Sequence, residues 1–180
     1  ELFGPELGKL VEGLTKLKKL DLVSRKAEQA ENLRKLLLAI SDDIRVLLVK
    51  LADRIHNMRT LDHMPVEKRA RIAEETMEIY APLANRLGVW QLKWELEDLS
   101  FRFLDPETYK RIARMLDERR VERERFIATT IARLKADIAA AGVEAEVQGR
   151  PKHIYSIWNK MRSKHLEFDE VYDVRAVRML

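Results

Sequence analysis

The chain has 180 residues, enough to bury a real core, and 46% hydrophobic with 36% charged content fits a globular, helix-rich protein. It has no cysteine, which excludes disulfides and thiolate metal sites and suits a reducing compartment, and no apolar run approaches the ~18 residues of a membrane span. The 34 basic and 30 acidic residues leave a net charge of +4, too mild by itself to argue for a nucleic-acid surface.

Gly4-Pro5 opens a predicted helix in which Leu7, Leu10, Val11, Leu14 and Leu17 share one apolar face. It ends near Lys18 and Lys19, where cations suit the negative end of the helix dipole. A second helix is predicted from about Ser24, with Ala27, Ala30, Leu33, Leu36, Leu37 and Ile40 inward and Arg25, Lys26, Glu28, Glu31, Arg34 and Lys35 in water. Ser41 or Asp42 can cap the next one.

That next helix carries the stretch LLVKLADRIHNMRTL, Leu47 to Leu61. Leu47, Leu48, Leu51, Ile55 and Met58 recur at three- and four-residue steps and form one stripe, while Asp53, Asn57 and Thr60 stack on the opposite side. Its upstream turns, Ile44 to Val49, are apolar almost all round, so the helix is expected to be buried on most sides and Asp53 to sit where water is scarce. Such a carboxylate must be paired, with Lys50, Arg54 or a neighbouring helix, or must hold a metal.

Pro65 restarts the chain at a first-turn position, and the following helix is expected to run to Gly88 with a kink at Pro82. The next places Leu92, Leu96, Leu99 and Phe103 on one stripe, with Trp90 and Trp94 packing between layers. Asp105-Pro106 is a cap followed by a first-turn proline. From there to Ala141 the pattern stays helical, interrupted by DERRVERER at Asp117–Arg125. That run reads either as a solvated helical face or as the turn between two helices, and its interleaved acids argue against RNA contact.

Gly142 ends the helix, and the period shifts toward two: Val143, Ala145 and Val147 alternate with Glu144, Glu146 and Gln148, predicting a strand. A helix from about Pro151 to Lys164 and a strand over Glu170–Leu180 complete strand, helix, strand. On this helix Lys152, Ser156 and Lys160 fall at i, i+4 and i+8, with Arg150 just before them and Ile154, Ile157, Trp158 and Met161 on the other face. Cations, a planar fork and a hydroxyl near the positive end of a helix dipole are what a polyphosphate requires, and Asp173 could hold its Mg²⁺. The plain alternative is a solvated basic face with Asp173 in an edge-strand salt bridge.

LLVKLADRIHNMRTL, then YAPLANRLG at Tyr80–Gly88, ELEDLSFRFL at Glu95–Leu104 and GRPKHIYSIWNKM near the end closely resemble the RelA/SpoT-type alarmone synthetase/hydrolase family. The resemblance implies a mainly α fold: the C-terminal part of an HD-type hydrolase domain with its following helices over 1–104 and a helical connector over 105–141. Residues 142–180 would then be the truncated start of an α/β, nucleotidyltransferase-like synthetase domain. It further implies that Arg150, Lys152, Ser156 and Lys160, with His153 a weaker candidate, bind ATP, and that Asp173 is catalytic through Mg²⁺. The implied synthesis transfers a pyrophosphoryl group from ATP to the 3′-hydroxyl of GDP or GTP. The implied hydrolysis removes the 3′-pyrophosphate of (p)ppGpp with Mn²⁺, Asp53 being one ligand and Asn57, with Thr60, contacting the guanine nucleotide.

The family's other hydrolase ligands are a histidine and a His-Asp pair, and no His-Asp dipeptide occurs here; His56 and His63 read as surface or supporting residues. The chain opens on Glu1 and stops at Leu180 within a predicted strand, so it is expected to be an excised piece of a cytoplasmic enzyme, inactive by itself. Neither a membrane nor nucleic acid is an expected partner of this segment, and ribosome or regulator contacts would fall to regions outside it. The competing reading is a helical regulatory or scaffold module with vestigial sites.

Overall fold

A computed structural model describes residues 4–18, 43–150, 152–171 and 176–179. They belong to two compact units, Glu1–Ser100 and Phe101–Leu180. The predicted helix from Ser24, and the caps Ser41 and Asp42, lie outside the described residues.

In the first unit α1 is Pro5–Lys18 and α2 is Ile44–Arg59. The side chain of Asp43 caps α2 by accepting from the Arg45 N–H at 2.9 Å, and the Arg45 guanidinium also reaches Glu6 on α1 at 3.1 Å. Val46, Leu47, Leu51, Ile55 and Met58 of α2 are buried, with Leu61 from the 3₁₀ turn Leu61–His63. Ile44, Leu48 and Val49 are exposed, so α2 buries one stripe and is not covered on most sides as its composition suggested.

Pro65 caps α3, Val66–Glu75, which leads into a π turn at Thr76–Tyr80 and then α4, Ala81–Arg86. The expected kink at Pro82 takes this form for a physical reason. Proline has no N–H to offer the carbonyl four residues back and its ring crowds that group; widening the preceding turn, with the Ala81 N–H bonded to Thr76 O, accommodates both. Gly88 closes α4 at φ +71°, as its place in the sequence suggested. α5, Trp90–Leu104, buries Leu96 and Ser100 in this unit. Trp90 is 47% exposed and packs between no layers: it is the first residue of the helix, outside the turns that the core covers.

The second unit contains α6, Pro106–Glu118, and α7, Arg120–Ala140. The Asp105 side chain caps α6 by accepting from Thr108 N–H at 3.1 Å. Arg119, the single residue between these helices, pairs with Asp169 at 2.7 Å, so DERRVERER is both the break and an exposed face. α7 ends in a Gly142 stop at φ +69°.

Strand β1 is Val147–Arg150, later than the alternation from Val143 predicted; residues 143–146 belong to no strand, the Val143 N–H instead bonding Ile138 O at 3.2 Å, and only Val147 of that set is buried. β1 pairs antiparallel with β2, Ala176–Met179, in the register Val147↔Met179 through Arg150↔Ala176. Between them lies α8, Ile154–Lys164, which begins three residues after Pro151 and ends at His165 in the left-handed region. The fold is mainly α with one small antiparallel sheet among the described residues, in agreement with the sequence reading.

Gly149 lets β1 lie against α7. A Cβ there would stand 2.8 Å from Ile127 Cγ2, a branched carbon with little room to retreat. Gly149→Ala is expected to destabilise the unit by about 1–3 kcal/mol, the usual cost of forcing an extra carbon into a packed contact, read from chemical denaturation.

The Arg45 side chain, and then its backbone N–H, hold the Asp43 carboxyl below its ordinary 3.8. A carboxyl depressed on folding contributes stability that is fully present above the unfolded value and is lost as pH falls through the folded one. Asp43→Asn, which still caps, should therefore lower the urea midpoint at neutral pH and lower it progressively less below pH 3.8.

Candidate functional site

On α2 the sequence alternates between two faces one residue out of step. Leu47, Leu51, Arg54, Met58 and Leu61 are buried at steps of four and three, and Asp53, Asn57 and Thr60 each immediately precede a buried member. The fold thus brings Asp53, Asn57 and Thr60 onto one exposed face. Asn57 Nδ2 donates to Asp53 Oδ2 at 3.4 Å, and the Thr60 hydroxyl closes the helix by donating to His56 O at 3.0 Å.

Asp53 does not sit where water is scarce: its side chain is 54% exposed, with Lys50 Nζ 3.8 Å from Oδ2. The reason is the one-sided burial of α2, which turns the face opposite the stripe to solvent. A carboxylate so lightly held keeps its oxygens available to a divalent cation, and Asp53 fits the chemistry of one metal ligand. Among the described residues no group of three or more His, Cys, Asp or Glu side chains is placed to hold a metal ion. His56 and His63 are exposed, as expected of surface residues.

The buried charge in this region is Arg54, not Asp53. At 7% exposure it donates to both carboxylate oxygens of Glu75, at 3.1 and 3.3 Å, and its Cζ lies 4.0 Å from the centre of the Tyr80 ring. Burial is the largest influence on this guanidinium and works against its charge, but Tyr80 and Glu75 more than offset it and raise its pKa. Sequence reasoning missed this residue: the stripe read from the sequence, Leu47, Leu48, Leu51, Ile55 and Met58, passes beside Arg54, and only its partners make its burial tolerable.

In the second unit α8 is anchored by fully buried Ile157 and by Tyr155 and Trp158, whose rings lie 5.6 and 4.8 Å from Phe101. Ser156 and Lys160 lie on α8 and are half-buried. Lys152 does not: it precedes the N-cap residue His153, so the predicted i, i+4, i+8 helical row loses its first member to the approach segment. Lys152 and His153 still flank the positive end of α8, and Arg150 ends β1. Asp173 lies outside the described residues.

Residues 1–90 match the HD domain, and residues 149–180 match the region found in RelA/SpoT proteins. A GTP pyrophosphokinase of Myxococcus xanthus is 51% identical over 183 aligned positions, covering 100% of this chain and 24% of that protein. A probable guanosine-3′,5′-bis(diphosphate) 3′-pyrophosphohydrolase of Synechocystis sp. is 52% identical over 99% of this chain and 24% of its own length. A GTP pyrophosphokinase of Escherichia coli is 55% identical over 86% of the chain and 21% of its own. The chain thus spans about a quarter of the length of these relatives. No described helix is long and apolar enough to cross a membrane.

Removing the guanidinium leaves the Glu75 carboxylate facing an emptied pocket. Arg54→Ala is expected to cost about 1–3 kcal/mol in a thermal or urea unfolding experiment, less than the ~3–5 of a fully buried pair, because Glu75 keeps 33% of its side chain in water.

Proposed function

Because this chain belongs to the RelA/SpoT family, its first half being HD-domain sequence, we propose that it is part of a bifunctional cytoplasmic enzyme of guanosine 3′,5′-bis(diphosphate) metabolism. In this reading residues 1–104 are the end of the HD-type hydrolase portion, 105–141 the connector and 142–180 the start of the synthetase. What supports it is the order of two unrelated polar constellations, each on a helix anchored by its opposite face: Asp53, Asn57 and Thr60 on α2, then Ser156 and Lys160 on α8.

For hydrolysis, Asp53 would supply one carboxylate to a Mn²⁺. Bound there, the metal would lower the pKa of a coordinated water to make a nucleophile at neutral pH. Asn57 orients the Asp53 carboxylate through its side-chain N–H and, with Thr60, faces the guanine nucleotide. The substrate is the 3′-pyrophosphate of (p)ppGpp.

For synthesis, ATP lies against the start of α8. Arg150, Lys152 and Lys160 neutralise phosphate charge, Ser156 offers a hydroxyl, His153 stands at the N-cap, and Asp173 carries Mg²⁺. The pyrophosphoryl group passes to the 3′-hydroxyl of GDP or GTP, a transfer that asks the protein for alignment and charge neutralisation more than for a nucleophile of its own.

One observation favours a second reading, a regulatory module whose sites are vestigial: Lys50 Nζ already stands 3.8 Å from Asp53 Oδ2, where a metal ion would have to compete with it. Full-length protein separates the two. Asp53→Ala is expected to reduce Mn²⁺-dependent pyrophosphate release from (p)ppGpp to background while synthesis continues. Asp173→Ala is expected to abolish synthesis from ATP, Mg²⁺ and GDP while release continues. Wild-type protein that binds the nucleotides but performs neither reaction would establish the regulatory reading instead.

A further inference from the structure

Two residues remote in sequence from Asp53 hold the buried edge of its helix, one just before the π turn and one at its end. Glu75 is the last residue of α3 and Tyr80 the last of the turn. Five residues apart on a regular α-helix they would point about 140° away from each other, since each residue advances about 100°. One i→i+5 turn instead brings i and i+5 close to the same face. That is what allows one guanidinium to receive both the Glu75 carboxylate, at 3.1 and 3.3 Å, and the Tyr80 ring, at 4.0 Å.

The same turn touches α2 at a second point. Thr76, fully buried, donates its hydroxyl to Ile72 O at 2.6 Å and sets Oγ1 3.4 Å from Met58 Sδ. Arg54 and Met58 are the residues immediately after Asp53 and Asn57. Rotation of α2 about its axis would carry Asp53 and Asn57 away from their shared face, and it would have to break the contacts of Arg54 and Met58 with the turn.

We propose that Glu75 and Tyr80 are positioning residues of the Asp53–Asn57 face: held on one side by the π turn, they clamp Arg54 and so fix the rotation at which α2 presents Asp53. This rests on the reading of Asp53 as a cation ligand. The π turn, which a stability argument alone would count as a defect next to Pro82, is here the feature that makes a two-sided clamp out of one helix. The clamp adds nothing to the reacting atoms; it sets where a first ligand stands.

The test uses full-length protein and Mn²⁺ alone as probe, with free Mn²⁺ followed by its paramagnetic resonance signal at a temperature where circular dichroism shows each variant folded. Glu75→Gln and Tyr80→Leu are each expected to weaken Mn²⁺ binding roughly tenfold, the low end of the range seen when groups supporting a metal ligand are lost. Tyr80→Phe, which keeps the ring over Arg54 and loses only the hydroxyl, should weaken binding less than Tyr80→Leu does. Glu95→Gln removes the partner of Arg59 on the same helix and serves as the control for general loosening; it should leave the affinity unchanged. Wild-type affinity in both Glu75→Gln and Tyr80→Leu, or an equal loss in Glu95→Gln, would overturn the proposal. Asp53→Ala tells the two levels apart. If it abolishes binding while the clamp variants bind normally, positioning alone is wrong; if it binds normally, the ligand reading falls and the proposal falls with it.

Discussion

The first unit depends on how a guanidinium is kept charged inside it. Arg54 occupies a position in the apolar stripe of α2 that leucine or methionine fills a turn to either side. Burying it without partners would cost several kcal/mol, so the structure must supply a carboxylate and a π face in the same small volume. A π turn is the means: it stacks Glu75 and Tyr80, and the missing N–H of Pro82 two residues later gives the turn a reason to exist where it does. One proline, one carboxylate, one ring and one arginine thus form a chain of mutual requirement, and its last member adjoins Asp53.

The second unit solves a different problem, seating a short helix with a polar face against α6. α8 is held by Ile157 and by the ring contacts of Tyr155 and Trp158 with Phe101. The sheet reaches α7 only because Gly149 has no side chain at its closest approach. Aromatic packing on one face leaves Ser156 and Lys160 on the helix half-exposed, and the extended entry through Lys152 brings a further cation to its positive end. In both units the polar residues of interest sit next to, and not among, the residues that bear the packing.

Most of the helices were legible because their evidence is local. Pro65, the Asp105-Pro106 pair, and Gly88 and Gly142 each act locally, and each marks the boundary it was expected to mark within a residue or two; the cap expected at Ser41 or Asp42 is instead supplied by Asp43. Errors fell where the deciding neighbour is distant. Trp90 looked like core because it is large, yet burial depends on what covers the first turn of α5. The alternation from Val143 looked like strand, yet pairing is found only from Val147, where β2 supplies a partner.

What the sequence determined by itself was the class of fold, the family, and the placing of Asp53, Asn57 and Thr60 on one face of α2, since a period of 3.6 and a run of specific motifs need no knowledge of neighbours; that this face is open to water was not legible there. Tertiary structure alone decided which of the adjacent pair Asp53 and Arg54 is buried. On the helix wheel they stand about 100° apart, and either could have faced the interior. Only the arrival of Glu75 and Tyr80 on one side of a π turn makes the interior hospitable to the cation, and the carboxylate is left to the water.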